Sequence, residues 1–174
     1  HGSENVEVTG NEAVLGLEGD ALVTAEEGKV LTIQVADCVP LALISESGAI
    51  AVIHAGWRGL LSGVIEKTSK VLHEKFPGGQ LAVVGPRIGP CCYEFGRRDL
   101  DLFISTFGTS VAGVTDSLVD SLDLAAIVRT VLEERGIAPV YIDDSCTACD
   151  SKFWSYRSNG TQKRQSLLAW MEKN

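Results

Sequence analysis

The sequence predicts an α+β fold, a single-domain α/β sandwich with mixed β-sheets, and three observations carry that prediction. Segments with strand character outnumber helical ones, and their connections include both hairpins and crossovers. No repeat, low-complexity tract or Pro/Ser linker divides the 174 residues. A hydrophobic content of 45% is enough for a substantial core in a chain of this size, so residues 1–174 read as one domain.

In chain order, Val30 to Val35 alternates apolar and polar residues, Val39 to Ile44 is a nearly continuous apolar run, and Ala49 to Ile53 is another. All three read as strands, and the Ser-Glu-Ser-Gly stretch from Ser45 to Gly48 predicts a hairpin between the last two. The spacing of Leu60, Leu61, Val64, Ile65, Val71 and Leu72 predicts a helix that ends near Phe76-Pro77-Gly78-Gly79. Leu81 to Val84 is a short buried strand leading into a Gly/Pro-rich loop, Gly85 to Pro90. Two further helices are expected, Arg97 to Thr106 and Leu122 to Arg135, the second opened by Ser121 as N-cap and closed by Gly136. Val140 to Ile142 and Ser166 to Trp170 complete the strands.

A net charge of −8 and a pI near 4.8 would repel a phosphate backbone, which argues against nucleic acid and for a small-molecule substrate. No apolar run approaches the ~18 residues needed to cross a bilayer, and no charged and apolar leader opens the chain, so a cytoplasmic, membrane-free protein is expected. Five cysteines without such a leader point to reduced thiols rather than a disulfide framework.

The sharpest chemical feature is Ala36-Asp37-Cys38-Val39-Pro40 followed by His54-Ala55-Gly56-Trp57-Arg58-Gly59. Both segments lie at strand ends, and hairpin pairing would bring the Cys38 thiol and the His54 imidazole together. Thiolate and imidazole suit zinc or copper, and the same pair suits a nucleophile with its base. A buried cysteine beside a hydrogen-bonded histidine accounts equally well for the spacing alone. Arg58, in a glycine-bracketed turn at a helix start, suits a phosphate or carboxylate, although a solvated arginine in a simple strand-to-helix turn competes with that reading. The loop Gly85-Pro86-Arg87-Ile88-Gly89-Pro90-Cys91-Cys92-Tyr93-Glu94 is too irregular to be an element and has the character of loops that line sites. Phe153-Trp154-Ser155-Tyr156-Arg157 through Arg164 sets aromatics beside arginines, as a pocket for a flat heterocycle and a phosphate requires; a surface hairpin with core aromatics is the competing account. Cys146-Thr147-Ala148-Cys149 is a lone C-x-x-C, and a structural zinc there would need Cys91 and Cys92, whose adjacency suits a tetrahedron poorly. His73, inside a helix, reads as a solvated or capping residue.

Taken together with Gly19-Asp20-Ala21-Leu22-Val23-Thr24, these motifs resemble, in order and spacing over about residues 19 to 170, the YfiH-like family of purine nucleoside phosphorylases. That family is also called the laccase-domain or multicopper polyphenol oxidase-like family. The resemblance implies a metal site of one Cys and two His, with Cys38 and His54 as two ligands and His1, in His1-Gly2-Ser3, as the third. His-Gly-Ser also looks like a tag remnant. Relatives usually carry a further N-terminal segment, so the resemblance implies a fragment or short member lacking the family's first strands.

What it implies for function is a metal-dependent purine nucleoside enzyme. The reactions are phosphorolysis of adenosine, inosine or methylthioadenosine and adenosine deamination, with Zn2+ as cofactor and Cys38, His54 and Arg58 as catalytic residues. Arg58, Arg87, Arg157 and Arg164 are the phosphate-binding candidates. The alternative is a laccase-like polyphenol oxidase using Cu2+ and phenols, but three histidines in one chain cannot build the copper cluster that oxygen reduction requires. A metal-free Cys-His hydrolase and a non-catalytic nucleoside-binding module complete the alternatives, and a homo-oligomer with a shared site is compatible with all of them.

Overall fold

The strand-rich pattern resolves into one six-stranded mixed sheet flanked on one side by helices and on the other by a two-stranded ribbon. The computed structural model describes residues 2–7 and 19–173. The strands are β1 (Asn5–Glu7), β2 (Ala21–Thr24), β3 (Leu31–Val35), β4 (Val39–Ser45), β5 (Ala49–Ala55), β6 (Gln80–Val84), β7 (Ala112–Val114), β8 (Asp120–Leu122), β9 (Ala138–Ile142) and β10 (Gln165–Ala169). The helices are α1 (Trp57–Leu61), α2 (Val64–Lys75), α3 (Arg97–Phe107), α4 (Leu124–Glu134) and α5 (Tyr156–Asn159), with a 3-10 turn at Thr109–Val111. The main sheet runs β1-β2-β5-β4-β6-β9, while β3 pairs with β10 and β7 with β8. Parallel pairs at its two edges and antiparallel pairs in its centre make the sheet mixed, as expected for this fold class.

The apolar runs of β4 and β5 are continuous because both sheet faces are covered. Leu41, Leu43, Ala51 and Ile53 face a large core shared with Val64, Ile65 and Leu72 of α2, Leu100 and Phe103 of α3, and Ile127 and Val131 of α4. On the other face, Ala42, Ile50 and Val52 meet Leu31 and Ile33 of β3 in a second, smaller core. β3 has only one covered face, and its burial alternates accordingly. Pro40, which has no N–H to donate, is tolerated in this central strand because it stands at the start, before the β4–β6 ladder begins at Leu41 and Val84.

Two expected boundaries differ. The helix expected from Leu60 to Phe76 is two helices, starting at Trp57 and interrupted at Gly63, whose φ of 76° is left-handed. The helix expected from Leu122 starts at Leu124, and its cap is Asp123, not Ser121. Asp123 Oδ1 accepts from Ala125 N (2.8 Å) and Ala126 N (3.0 Å), whereas Ser121 is fully buried within β8. β1, β2, β7, β8 and α5 are elements the periodicity does not announce, being only three or four residues each.

Candidate active site

The β4–β5 hairpin forms as its pattern predicts, with Val39 opposite Ala55 and Pro40 opposite His54. Cys38, one residue before β4, is thereby set beside the end of β5. The convergence is measurable at Gly56, which follows β5. A Cβ built there would stand 3.2 Å from Cys38 Sγ and 3.8 Å from His54 Nε2, so a side chain would occupy the space between thiol and ring. Glycine at 56 keeps that space open.

A carboxylate stands beside each partner, Asp20 bonded to His54 and Asp37 next to Cys38. His54 Nδ1 lies 2.8 Å from Asp20 Oδ1, and the backbone N–H of His54 donates to Asp20 O at 2.8 Å. Because a carboxylate only accepts, Nδ1 carries a proton, so in the neutral ring Nε2, on the Cys38 side, is the lone-pair nitrogen. Asp20 Oδ2 in turn accepts from the backbone N–H of Gly2. His1, the expected third ligand, lies outside the described residues.

Asp37 shapes the Cys38 side. Its φ of 79° places it in the left-handed region, which aspartate tolerates better than most residues, and this bend separates β3 from β4. Its buried carboxylate accepts from Thr147 Oγ1 and from Arg157 N, both at 2.7 Å, and its carbonyl accepts from Ile88 N at 3.0 Å. Three loops distant in sequence thus meet behind Cys38. Burial, followed by the neighbouring Asp37 charge, pushes the Cys38 thiol from 9.0 up to about 11. Tyr93, buried close by, is pushed from 10.0 up to about 12, first by burial and then by Cys38.

Cys38 opens onto two adjoining cavities. The larger, about 610 Å³, is lined by Asp20, Thr32, Gln34, His54, Tyr156 and Arg164 among others. The smaller, about 220 Å³, is lined by Asp37, Gly56, Trp57, Arg58, Tyr93 and Arg157 among others, and shares Ala36, Cys38 and Tyr156 with the first. Their combined size suits a drug-sized or nucleoside-sized ligand. The Arg58 guanidinium stacks 4.1 Å from the Trp57 ring centroid, and that of Arg157 lies 4.7 Å from Tyr93. Trp57 is itself wedged edge-on against Phe95, which packs on Phe103 of α3, so the arginine platform is tied to the core.

Of the expected site residues, Cys38, His54, Arg58, Arg157 and Arg164 line this double cleft. Arg87 does not. It is 7% exposed, donates to Asp143 O, faces Asp144 at 3.8 Å, and lines a separate cavity with Asp123 and Arg129. The Gly/Pro-rich loop turns its side chain away from Cys38 because Ile88, the next residue, docks on Asp37. Sequence reasoning gave no role to Asp20, Asp37 or Tyr93. For Asp20 a signal existed, a motif carboxylate upstream of a ligand-type histidine, since such histidines are commonly oriented by a carboxylate.

The arrangement fits a thiophilic metal ion by its donor set: a thiol and an imidazole converge on one open point, and the ring's far nitrogen is held by a carboxylate. The comparisons agree with the motif resemblance. The family model described as multi-copper polyphenol oxidoreductase laccase matches residues 1–172. The purine nucleoside phosphorylase YfiH of Shigella flexneri is 31% identical over 174 residues, covering 98% of this chain and 71% of that protein. The purine nucleoside phosphorylase of Aquifex aeolicus is 34% identical over 148 residues, covering 85% of this chain and 68% of that one. Among solved structures, YlmD from Geobacillus stearothermophilus superposes with a TM-score of 0.80 at 27% identity, over 99% of this chain and 71% of the other. With motifs, fold and whole-length family match in agreement, this chain belongs to the YfiH-like, multi-copper polyphenol oxidoreductase laccase family.

Proposed function

We propose that this protein is a metal-assisted purine nucleoside phosphorylase whose reaction takes place in the double cleft at Cys38 and His54. The observation that carries the reading is the meeting of a thiol and a carboxylate-oriented imidazole over Gly56, in a cleft that also presents three arginines and two tyrosines. The names of the relatives support the substrate class.

Phosphorolysis joins a phosphate oxygen to the ribose C1′ as the bond from C1′ to the purine nitrogen breaks, and the departing base takes a proton. The chain's part is to hold an anion beside the sugar and to stabilise charge as it moves. Arg58 and Arg157 flank the smaller cavity and serve as the phosphate clamp, while the larger cavity takes the nucleoside against Tyr156, with Arg164 at its rim. Cys38, His54 and His1 would hold the metal, with zinc preferred and copper the alternative. Bound there, zinc would supply a Lewis acid and would lower the pKa of a bound water, chemistry that adenosine deamination would also use.

The laccase-like reading keeps the family description but needs more imidazoles: His73, the other described histidine, is exposed on α2 and lines a different cavity. A metal-free Cys-His hydrolase would need a depressed thiol pKa, and burial pushes Cys38 the opposite way.

The test is product chromatography after incubation of metal-analysed protein with adenosine, with and without phosphate, beside Cys38→Ala. Adenine formed only with phosphate, and lost in Cys38→Ala, is the expected result. Inosine formed without phosphate would assign the deaminase reaction instead, and no purine product with either metal would overturn the proposal.

A further inference from the structure

The cysteines that the nucleoside chemistry does not use are gathered in one place. Cys91 and Cys92 lie in the turn after Gly89, closed by Cys92 N donating to Gly89 O at 3.0 Å. Cys146 and Cys149 bracket a second turn, closed by Cys149 N donating to Cys146 O at 3.1 Å. The two turns are fastened together: Arg87 bridges to Cys146 in parallel register, and Thr147 N donates to Arg87 O at 3.0 Å. As a result all four sulfurs lie within 4.8 Å of one another, with Cys92 to Cys149 at 3.3 Å and Cys91 to Cys149 at 3.6 Å.

We propose that Cys91, Cys92, Cys146 and Cys149 form a second metal site, which takes one thiophilic divalent ion, zinc by its donor set, and clamps the two loops behind Cys38. A tetrahedron with Zn–S bonds of ~2.3 Å has sulfur–sulfur edges of about 3.8 Å, close to the spacings present. A disulfide needs ~2.05 Å, and all four thiols are unpaired. The adjacency of Cys91 and Cys92, a poor ligand pattern on a regular element, is accommodated here because a tight turn, not a strand, carries them.

Two further features fit an ion-bearing cluster. Gly89 N donates to Cys146 Sγ at 3.1 Å, an interaction that supports a thiolate. A Cβ at Gly89 would stand 3.2 Å from Cys91 Sγ and 3.4 Å from Cys146 Sγ, so glycine is what lets the sulfurs close around a centre. The cluster also has access: Cys149 is exposed, and Cys91 and Cys92 line an open cavity with Arg157. Its consequence reaches the cleft through Thr147, which sits between two of the ligands and donates to the buried Asp37 beside Cys38. The ion's role is therefore to position the site and not to take part in turnover.

The test separates this site from the one at Cys38. The full chain carrying His54→Ala, purified under reducing conditions, is stripped with chelator, reloaded with zinc or cobalt and desalted. One retained equivalent of zinc, the strong thiolate-to-cobalt charge-transfer absorption of a tetrahedral four-sulfur site, and loss of both on adding Cys146→Ser or Cys149→Ser are expected. Zinc should also raise the thermal midpoint of the His54→Ala protein. Metal retention unchanged by the serine substitutions would overturn the proposal. So would a cobalt spectrum without four thiolates in the His54→Ala protein, a measurement that stands even where a serine variant does not fold. A Cys92–Cys149 disulfide in freshly purified, metal-free protein would equally overturn it and assign a redox pair.

Discussion

Asp20 is the residue on which the candidate active site turns. Its two oxygens link the His54 ring to the backbone of Gly2, the residue that follows the expected ligand His1, so one carboxylate orients one proposed ligand and holds the residue next to the other. It acts on the site through His54, as a positioning residue. Asp20→Asn keeps the size but leaves one acceptor oxygen for two donors, His54 Nδ1–H and Gly2 N–H. Zinc affinity at this site, measured by competition with a chelator in protein carrying Cys146→Ser, is expected to fall by ~10- to 100-fold. Asp37 plays the matching part on the Cys38 side, where its left-handed backbone and two side-chain acceptor bonds fix the approach of the loops. The two carboxylates differ in legibility. Asp20 stands in a recognisable motif, whereas nothing in the spacing of Asp37, Thr147 and Arg157 foretells that they meet.

Helix α4 packs, with α2 and α3, on the sheet face opposite the ribbon. Leu124, Ile127, Val128, Val131 and Leu132 are all buried, a spacing that keeps one stripe of the helix against the sheet. Its start is fixed by Asp123, whose carboxylate accepts from two otherwise unsatisfied backbone N–H groups. Asp123→Ala is expected to cost about 1 kcal/mol, measured as a shift in the urea midpoint at unchanged slope. The same aspartate lines the cavity around the buried Arg87, so the variant should also loosen the Gly85–Pro90 loop, detectable as faster amide exchange at Ile88. The misplaced cap at Ser121 has a physical reason. A serine before an apolar run is a good capping residue by type, but the short β7–β8 hairpin claims it first.

For the whole molecule, the buried acids of the cleft make an alkaline limit. Cys38 titrates near 9.0 unfolded and about 11 folded, and Tyr93 near 10.0 unfolded and about 12 folded. Both acids stay neutral when folded at a pH where the unfolded chain has released its protons. Above pH 9 the unfolded state therefore binds fewer protons, and stability falls with rising pH. The contribution of Cys38 is fully present below pH 9 and is lost on the way to 11; that of Tyr93 follows between 10 and 12. Metal-stripped protein is expected to show a urea midpoint that is flat up to about pH 9 and declines above it. Cys91 and Cys92 are likewise pushed up from 9.0, so Cys38→Ala should leave the onset near pH 9 and make the decline between pH 9 and 11 shallower; an unchanged slope would mean the Cys38 thiol is not held neutral by burial.

The sequence by itself indicated the strand-rich α+β class, the β4–β5 hairpin and the approach of Cys38 and His54 at its open end. These rest on local patterns: apolar runs of strand length and a short turn between them, which sets the register of the pair. The motifs around them were specific enough to indicate the family. Only the tertiary structure decided what depends on irregular loops. It withdrew Arg87 from the cleft into a pocket of its own, chose Asp123 over Ser121, and drew four cysteines from two distant turns within 4.8 Å of one another. A loop has no periodicity from which its side-chain directions can be read; they follow from the contacts that fasten it, and those contacts join residues more than fifty positions apart.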